Sequence, residues 1–275
     1  MNSLFTILNS LVLLLATLQV SAQGIVHSDI DYKDGVVDVN GKDLLDVYVP
    51  DGAKHDPVLV FFHGGALRMG SKIDAQAVAS RFVSLGIVVV TPGYRLSPGV
   101  MHPAHVKDAA AALAWVVNNI RRYGGDPGKI FVGGHSAGAY LAVLLALDPD
   151  HLGVYGLKPE TIRGTIAVSP FLYVEETAAV RPKDVWGTDP TDWLAASVTP
   201  HIRPGLGPML LIYADGDADW RKRQNETFAA SMRARGNNVR VVEVPGRAHL
   251  TLISKLNARD DQIGDRVMRF IEENK

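Results

Sequence analysis

The sequence of 275 residues contains no cysteine. This absence excludes disulfide bonds, thiol catalysis and cysteine-ligated zinc sites. The chain also has little excess charge, because 28 Lys and Arg residues stand against 29 Asp and Glu residues, for a net charge of −1. Because a net charge near zero gives no strong positive electrostatic potential, no nucleic-acid partner is expected. The basic clusters 121–122 and 221–223 are expected on solvated faces of helices. No metal or other cofactor is predicted.

An apolar stretch long enough for export occurs at the N-terminus, over residues 4–20. Small residues follow at positions 20–22, as they do at the cleavage site of a secretory signal peptide. The sequence therefore predicts a signal peptide over residues 1–22 and a secreted or periplasmic protein, without stable membrane insertion after cleavage. The alternative is an uncleaved membrane anchor, although polar residues interrupt the stretch.

Beyond this stretch, short β-branched runs alternate with helical patterns. Buried strands are predicted over residues 57–62, 86–91, 129–133, 164–169, 208–214 and 239–244, and a hairpin over 30–41 and 44–50. Helices are predicted over residues 74–85, 104–123, 139–147, 221–235 and 260–273. This alternation predicts an α/β domain over residues 23–275, with a mostly parallel sheet of about eight strands flanked by helices. Residues 171–207 lack periodicity and are too long for an ordinary connection, so a small cap-like insertion is predicted.

The most informative motif is Gly134-His135-Ser136-Ala137-Gly138, which matches G-x-S-x-G. It lies between a predicted strand and an almost wholly apolar helix. A strand that turns this abruptly into a helix holds the serine hydroxyl above the edge of the sheet, at the helix N-terminus. A chance match to the bare pattern is the alternative, and the strand and helix on either side argue against it. Ser136 is therefore predicted to be a nucleophile.

A serine hydroxyl needs a base, and the base needs an orienting carboxylate. Groups that meet the serine must follow strands at the carboxyl edge of a parallel sheet. His249 follows the last predicted strand and is the best placed of the nine histidines. Asp215, Asp217 and Asp219 all follow the preceding strand. Asp217 has the best reach and is predicted to be the acid, and the other two remain alternatives.

A tetrahedral intermediate also needs hydrogen-bond donors for its oxyanion. The backbone N–H of Ala137 is one predicted donor, and those of Gly64 and Gly65 are the others, because missing side chains let these groups approach the substrate oxygen. The alternative for the glycines is a simple turn after a strand. Candidate substrate-binding residues are Ala66, His135 and Trp186. Trp186 could instead pack the predicted insertion onto the core.

These residues resemble those of α/β-hydrolases of the esterase/lipase type. The resemblance is greatest to the branch that holds hormone-sensitive-lipase-like, feruloyl-esterase-like and kynurenine-formamidase-like enzymes. The matching motifs are His63-Gly64-Gly65, Tyr94-Arg95-Leu96-Ser97-Pro98, His102-Pro103, Tyr123-Gly124-Gly125-Asp126-Pro127, Gly134–Gly138 and Trp186-Gly187-Thr188-Asp189. Two positions depart from the pattern: Ala66 replaces a third glycine, and Ala214 replaces the glycine that usually opens the acid loop. The resemblance implies the α/β-hydrolase fold and hydrolysis of a carboxylic ester through an acyl-enzyme.

The sequence thus predicts a serine carboxylic ester hydrolase that acts on a small or medium acyl ester. Alternatives with the same mechanism are an arylformamidase and a feruloyl-type esterase. The alternative outside enzymes is a catalytically inactive binding module on the same fold. Such a module has no physical need for a nucleophile, base, acid and oxyanion loop together.

Overall fold

A computed structural model describes residues 24–33, 35, 38, 40–177 and 183–275. The predicted signal peptide, residues 1–22, lies outside the described residues. Within them, eight strands form one sheet in the order β1-β2-β4-β3-β5-β6-β7-β8. The strands are β1 Ile25–Asp31, β2 Leu44–Val49, β3 Asp56–Phe62, β4 Val88–Pro92, β5 Gly125–His135, β6 Ile162–Val168, β7 Met209–Ala214 and β8 Val239–Val244. Only β2 runs antiparallel to its described neighbours, β1 and β4, so the predicted mostly parallel sheet is confirmed.

Helices connect the parallel strands. They are α1 Gln76–Val83, α2 Ala104–Asn119, α3 Ala137–Leu147, α4 Pro149–Gly153, α5 Val174–Thr177, α6 Lys183–Trp186, α7 Pro190–Ala195, α8 Asp219–Ala234, α9 Thr251–Ser254 and α10 Gly264–Asn274. Short 3₁₀ turns cover Lys72–Ala75, Ile120–Tyr123, Pro159–Thr161 and Thr199–His201. Among the described residues, no helix has the length and apolarity needed to cross a bilayer.

The sheet is buried on both faces. In β3 the side chains of Val58, Val60 and Phe62 face one cluster of the core, while Leu59 and Phe61 face the other. The first cluster also contains apolar residues of α2, α3 and α8, and the second contains those of α1 and α10. Burying such a side chain contributes about 1.5–3 kcal/mol, which explains why this strand is an unbroken apolar run.

Three predicted elements begin four or more residues away from their predicted starts. The first strand spans Ile25–Asp31 instead of 30–41, because it is an edge strand held by backbone pairing with β2, and its exposed side chains carry no burial signal. β5 begins at Gly125 instead of 129, because Gly125 already pairs with Asp56 of β3, ahead of a register irregularity over residues 126–129. The last helix begins at Gly264 instead of 260, because Asp261 Oδ1 accepts the N–H groups of residues 263 and 264 and fixes its start.

The predicted insertion, residues 171–207, contains α5, α6 and α7, and residues 178–182 of it lie outside the described part. Several contacts connect it to the rest of the chain, among them one to α3 and one to the loop after β3. The hydroxyl of Tyr140 on α3 donates to the carbonyl of Ala196 at 2.7 Å. Arg68, in the loop after β3, forms an ion pair of 3.1 Å with Asp184 on α6. That this segment works as a cap stays a prediction.

Candidate active site

The corner between β5 and α3 holds Ser136 in a strained conformation. Its φ of 53° and ψ of −111° lie in a region that side chains rarely adopt. The Ser136 N–H donates to the carbonyl of Val168 on β6 at 2.8 Å, which fixes the corner against the sheet. A side chain at Gly138 could not fit, since its Cβ would lie 2.1 Å from the carbonyl oxygen of Phe62. The motif therefore packs helix and strand closely and leaves the serine half-exposed.

Asp217 and His249 meet at the carboxyl edge of the sheet. Asp217 Oδ1 accepts a hydrogen bond from His249 Nδ1 at 2.8 Å. The Asp217 side chain is 1% exposed, whereas that of His249 is 29% exposed. Because a carboxylate can only accept, Nδ1 carries the proton and Nε2 is the ring atom that can accept one. This orientation is the one that a general base needs.

Ser169, at the end of β6, is a third partner of this pair that the sequence analysis missed. Its hydroxyl donates to Asp217 Oδ2 at 2.5 Å and lies 2.9 Å from His249 Nδ1. Since the single hydroxyl proton goes to the carboxylate, the oxygen accepts part of the Nδ1–H. Ser169 also has a positive φ of 54° and is fully buried. The rule that selected the loops after β7 and β8 also places the end of β6 at this edge, but a lone serine there carries no motif that would single it out.

The ionisation of Asp217 follows from its neighbours. Burial alone would raise the pKa of this carboxyl, but hydrogen bonds from His249, Ser169 and the Ala214 N–H outweigh burial and hold the pKa below its usual value. The Ala214 N–H donates to Oδ2 at 2.9 Å. The carboxylate is therefore charged near neutral pH and can stabilise an imidazolium ion at His249.

The two alternative acids lie elsewhere. Asp215 accepts the N–H groups of Gly246 and Arg247, at 2.9 and 3.1 Å, and so joins the loops after β7 and β8. Those two backbone bonds lower the pKa of Asp215. The Asp219 side chain is exposed and pairs with Lys222 at 3.5 Å. Of the three aspartates, the described structure brings Asp217 to His249.

His135, a predicted substrate-binding residue, is buried and directly precedes the predicted nucleophile. Its Nε2 lies 3.0 Å from the backbone carbonyl of His249, so Nε2–H is the donor. The two imidazole rings pack with their centroids 4.6 Å apart. Burial, together with the neighbouring His249, lowers the pKa of His135 to about 4. This neutral ring therefore supports the loop that carries His249.

The glycines after β3 lie beside the elbow. A Cβ built on Gly64 would be 3.5 Å from the Cβ of Ser136. Gly65 has a φ of 110°, and a Cβ there would lie 2.1 Å from the carbonyl oxygen of Met69, so this turn requires glycine. No described residue accepts a backbone hydrogen bond from the N–H groups of Gly64 or Gly65. The Tyr94 hydroxyl donates to the carbonyl of His63 at 2.8 Å and anchors the loop.

The remaining predicted substrate-binding residues have different surroundings. Ala66 is exposed and has a positive φ of 55°. Trp186 is buried against Tyr140 and Phe171, at ring-centroid distances of 5.6 and 5.9 Å. It lines a pocket of about 320 Å³ together with Met101, His102, Pro103, Asp148, His151, Asp192 and Ala195.

Among the described residues, no group of three or more His, Asp or Glu could hold a metal ion.

Comparison with known proteins fits this fold. The family model for the alpha/beta hydrolase fold matches residues 59–253, and the chain belongs to this family, to its esterase/lipase type. Over 269 residues it is 32% identical to the esterase LipQ of Mycobacterium tuberculosis, a match of 89% of this chain and 61% of that protein. It is 28% identical to an isoprenylcysteine alpha-carbonyl methylesterase of Arabidopsis thaliana, over 84% of this chain and 59% of the relative. The chain thus spans about three fifths of the length of these curated relatives.

Solved structures agree in shape. Esterase 2 of Thermogutta terrifontis, phosphonylated by cyclosarin, matches with a TM-score of 0.72 and 26% identity, over 91% of this chain and 92% of that one. The propionate-bound form of the same esterase matches with a TM-score of 0.71 and 26% identity, over 92% of this chain and 93% of the other. The predicted fold, an α/β-hydrolase with a mostly parallel sheet, is confirmed by these neighbours.

Proposed function

We propose that this chain is a serine carboxylic ester hydrolase that acts through an acyl-enzyme on small or medium acyl esters. The observation that carries the proposal is the 2.8 Å hydrogen bond between Asp217 and His249 Nδ1. It lies at the same edge of the sheet as the strained Ser136 and the Gly64-Gly65 turn. A nucleophile, an oriented base, a buried acid and backbone donors in one place are the parts that acyl transfer requires.

In the proposed reaction, Ser136 Oγ attacks the acyl carbon while His249 Nε2 takes the hydroxyl proton. Asp217 stabilises the imidazolium ion, and the N–H groups of Ala137, Gly64 and Gly65 donate to the oxyanion. The intermediate collapses, and His249 gives its proton to the leaving alcohol. A water molecule then attacks the acyl-enzyme by the same steps, and the carboxylic acid leaves. Each oxyanion donor typically contributes about 2.7–4 kcal/mol to such a step.

The ligands bound in one solved neighbour support the substrate class. Thermogutta terrifontis esterase 2, at 26% and 25% identity, was solved with propionate and with butyrate bound, which favours a short acyl group here. The same esterase was solved phosphorylated by paraoxon, so an organophosphorus probe is a suitable reagent for this chain.

Export from the cytoplasm is a second part of the proposal, and it rests on the apolar residues 4–20 and the small residues that follow.

The test is hydrolysis of p-nitrophenyl esters from acetate to decanoate, with methyl ferulate and N-formylkynurenine in the same panel. Ser136→Ala is expected to lower kcat by at least about 10³-fold, because it removes the nucleophile. Ser84→Ala is the matched control, since this serine is exposed and lies at the C-terminal end of α1. It is expected to leave the rate unchanged.

A fluorophosphonate is expected to label wild type and Ser84→Ala, but not Ser136→Ala, in intact-mass spectra. A preference for methyl ferulate or N-formylkynurenine would keep the mechanism and change the substrate class. Absence of both turnover and labelling in folded wild-type protein would contradict the proposal and favour the binding module.

A further inference from the structure

Arg221 does not lie on a solvated face, which corrects the expectation for the basic cluster 221–223. It belongs to the first turn of α8, and its side chain is only 12% exposed. Arg223, two residues on, is exposed. A guanidinium group that gives up water needs compensating partners, so the surroundings of Arg221 indicate what it does.

Three contacts hold the guanidinium group behind the Asp217–His249 pair. Nη1 donates to the backbone carbonyl of Ser169 at 2.8 Å. Nε lies 3.7 Å from Asp217 Oδ1, the same oxygen that accepts the bond from His249. The central carbon lies 4.6 Å from the ring centre of Trp220, in a cation–π contact. The group is thus fixed, and its charge faces the carboxylate that serves His249.

We propose that Arg221 is a positioning residue that sets the acid limit of this site, that is, the pH at which kcat/KM falls to half on the acid side. Its charge opposes protonation of His249, and its bond to Ser169 holds that serine in place. The inference rests on the proposed ester hydrolysis, in which His249 must be neutral to act as a base.

The electrostatic part follows from the groups that face the His249 ring. They are Asp217 from the loop after β7, Ser169 from the end of β6, His135 from the elbow and, behind Asp217, Arg221 from α8. Asp217 is the anion among them and favours the imidazolium ion. Arg221 offsets part of this attraction, because a positive charge close to a carboxylate weakens its pull on a second cation. The charge of Arg221 therefore works against the positive charge that His249 takes up as a base.

The positional part concerns Ser169. A serine with a φ of 54° keeps that conformation only where its surroundings determine it. The Ser169 N–H donates to the carbonyl of Ile212 at 2.6 Å, and its own carbonyl accepts from Arg221. These two bonds hold the peptide groups on both sides of the residue, so its hydroxyl stays aimed between Asp217 and His249.

The test compares the pH dependence of kcat/KM in wild type, Arg221→Met, Arg221→Lys and Arg223→Met. In Arg221→Met, the pH at which kcat/KM falls to half on the acid side is expected to rise by about half a unit or more, because the opposing charge is gone. Arg221→Lys keeps the charge and is expected to restore the wild-type limit. Arg223→Met removes the same charge from an exposed position on the same helix, and its acid limit is expected to stay unchanged. Equal profiles for wild type and Arg221→Met would overturn the proposal.

A second measurement does not depend on turnover. The ring signals of ¹³C-labelled histidine are followed by NMR against pH, and the His249 signal is identified by its loss in His249→Asn. In Arg221→Met this signal is expected to titrate at higher pH than in wild type, and in Arg221→Lys at the wild-type pH. An unchanged titration in Arg221→Met would overturn the role of Arg221 even if the chain hydrolyses esters. Absent hydrolysis with a shifted titration would instead overturn the proposed function alone.

Discussion

His135 donates a hydrogen bond from Nε2 to the backbone carbonyl of His249, across 3.0 Å. The residue that precedes the proposed nucleophile therefore holds the loop of the proposed base, and the distance between elbow and loop is set by a side chain. The contact also explains why His135 is buried, although the sequence placed it among residues that bind substrate.

His135→Phe tests this link. The variant keeps an aromatic ring but leaves the His249 carbonyl without its donor, at an expected cost of about 1–3 kcal/mol in the free energy of unfolding. Because His249 is then held less firmly, kcat is expected to fall about tenfold with little change in KM. His135→Gln, which can still donate, is expected to recover most of kcat. Steady-state kinetics and urea unfolding measure both effects, and a wild-type kcat in His135→Phe would contradict the link.

Asp217 and Asp215 form a matched pair of carboxylates two residues apart. Asp217→Asn is expected to lower kcat by about 10³–10⁴-fold, because the amide no longer supports the imidazolium ion and favours the wrong tautomer of His249. Asp215→Asn replaces one of the two oxygens that accept the N–H groups of Gly246 and Arg247 by a donor, and it is expected to lower thermal stability while keeping most of kcat. Kinetics and thermal melts of both variants decide between the two acids. A larger loss of kcat in Asp215→Asn would reverse the assignment.

Gly65 and Gly86 both have positive φ, 110° and 82°, but only Gly65 is crowded. Gly86→Ala meets nothing within 4 Å and is expected to cost about 1–2 kcal/mol from its backbone conformation alone. Gly65→Ala adds a clash with the Met69 carbonyl, so the loop must shift and the proposed oxyanion donor moves with it. A loss of kcat of more than about 100-fold is expected for Gly65→Ala, and none for Gly86→Ala. Similar kinetics in the two variants would remove Gly65 from the proposed oxyanion site.

Acid is expected to destabilise the fold through its histidines. Burial lowers the pKa of His63, His105 and His135 to about 4 and that of His102 to about 3. Their pKa in the unfolded chain is near 6.5, so the unfolded state binds more protons between pH 6.5 and 4, and stability falls as the pH falls. Each such histidine removes about 3 kcal/mol over this interval.

Urea unfolding between pH 7.5 and 4.5 measures this loss. In His105→Asn, unfolding is expected to take up as much as one proton fewer than in wild type. The unfolding free energy therefore depends less on pH. His55→Asn, at a ring that is solvent-exposed in the folded chain as well, is expected to leave it unchanged. A stability that does not fall with pH in wild type would contradict the burial of neutral histidines.

The sequence predicted the sheet from alternating strand and helix patterns and Ser136 from its motif. It selected Asp217 and His249 by the rule that parallel strands end at a common edge. It missed Ser169, because a lone serine at a strand end carries no motif, and its role depends on a positive φ that only the folded chain reveals. It misassigned Arg221 for a different reason. Positions 221, 224, 225 and 228 share one face of α8, and that face is buried, but it contains Arg, Gln and Asn as well as Phe, so no apolar stripe marks it.

The ion pair between Arg68 and Asp184 joins the loop after β3 to α6 of the predicted insertion. Both side chains are partly exposed, so the pair contributes at most about 1 kcal/mol, and added salt weakens it further. The loop after β3 and α6 are thus joined by a contact that thermal motion opens readily. Ionic strength consequently acts on how firmly the loop after β3 holds the predicted insertion.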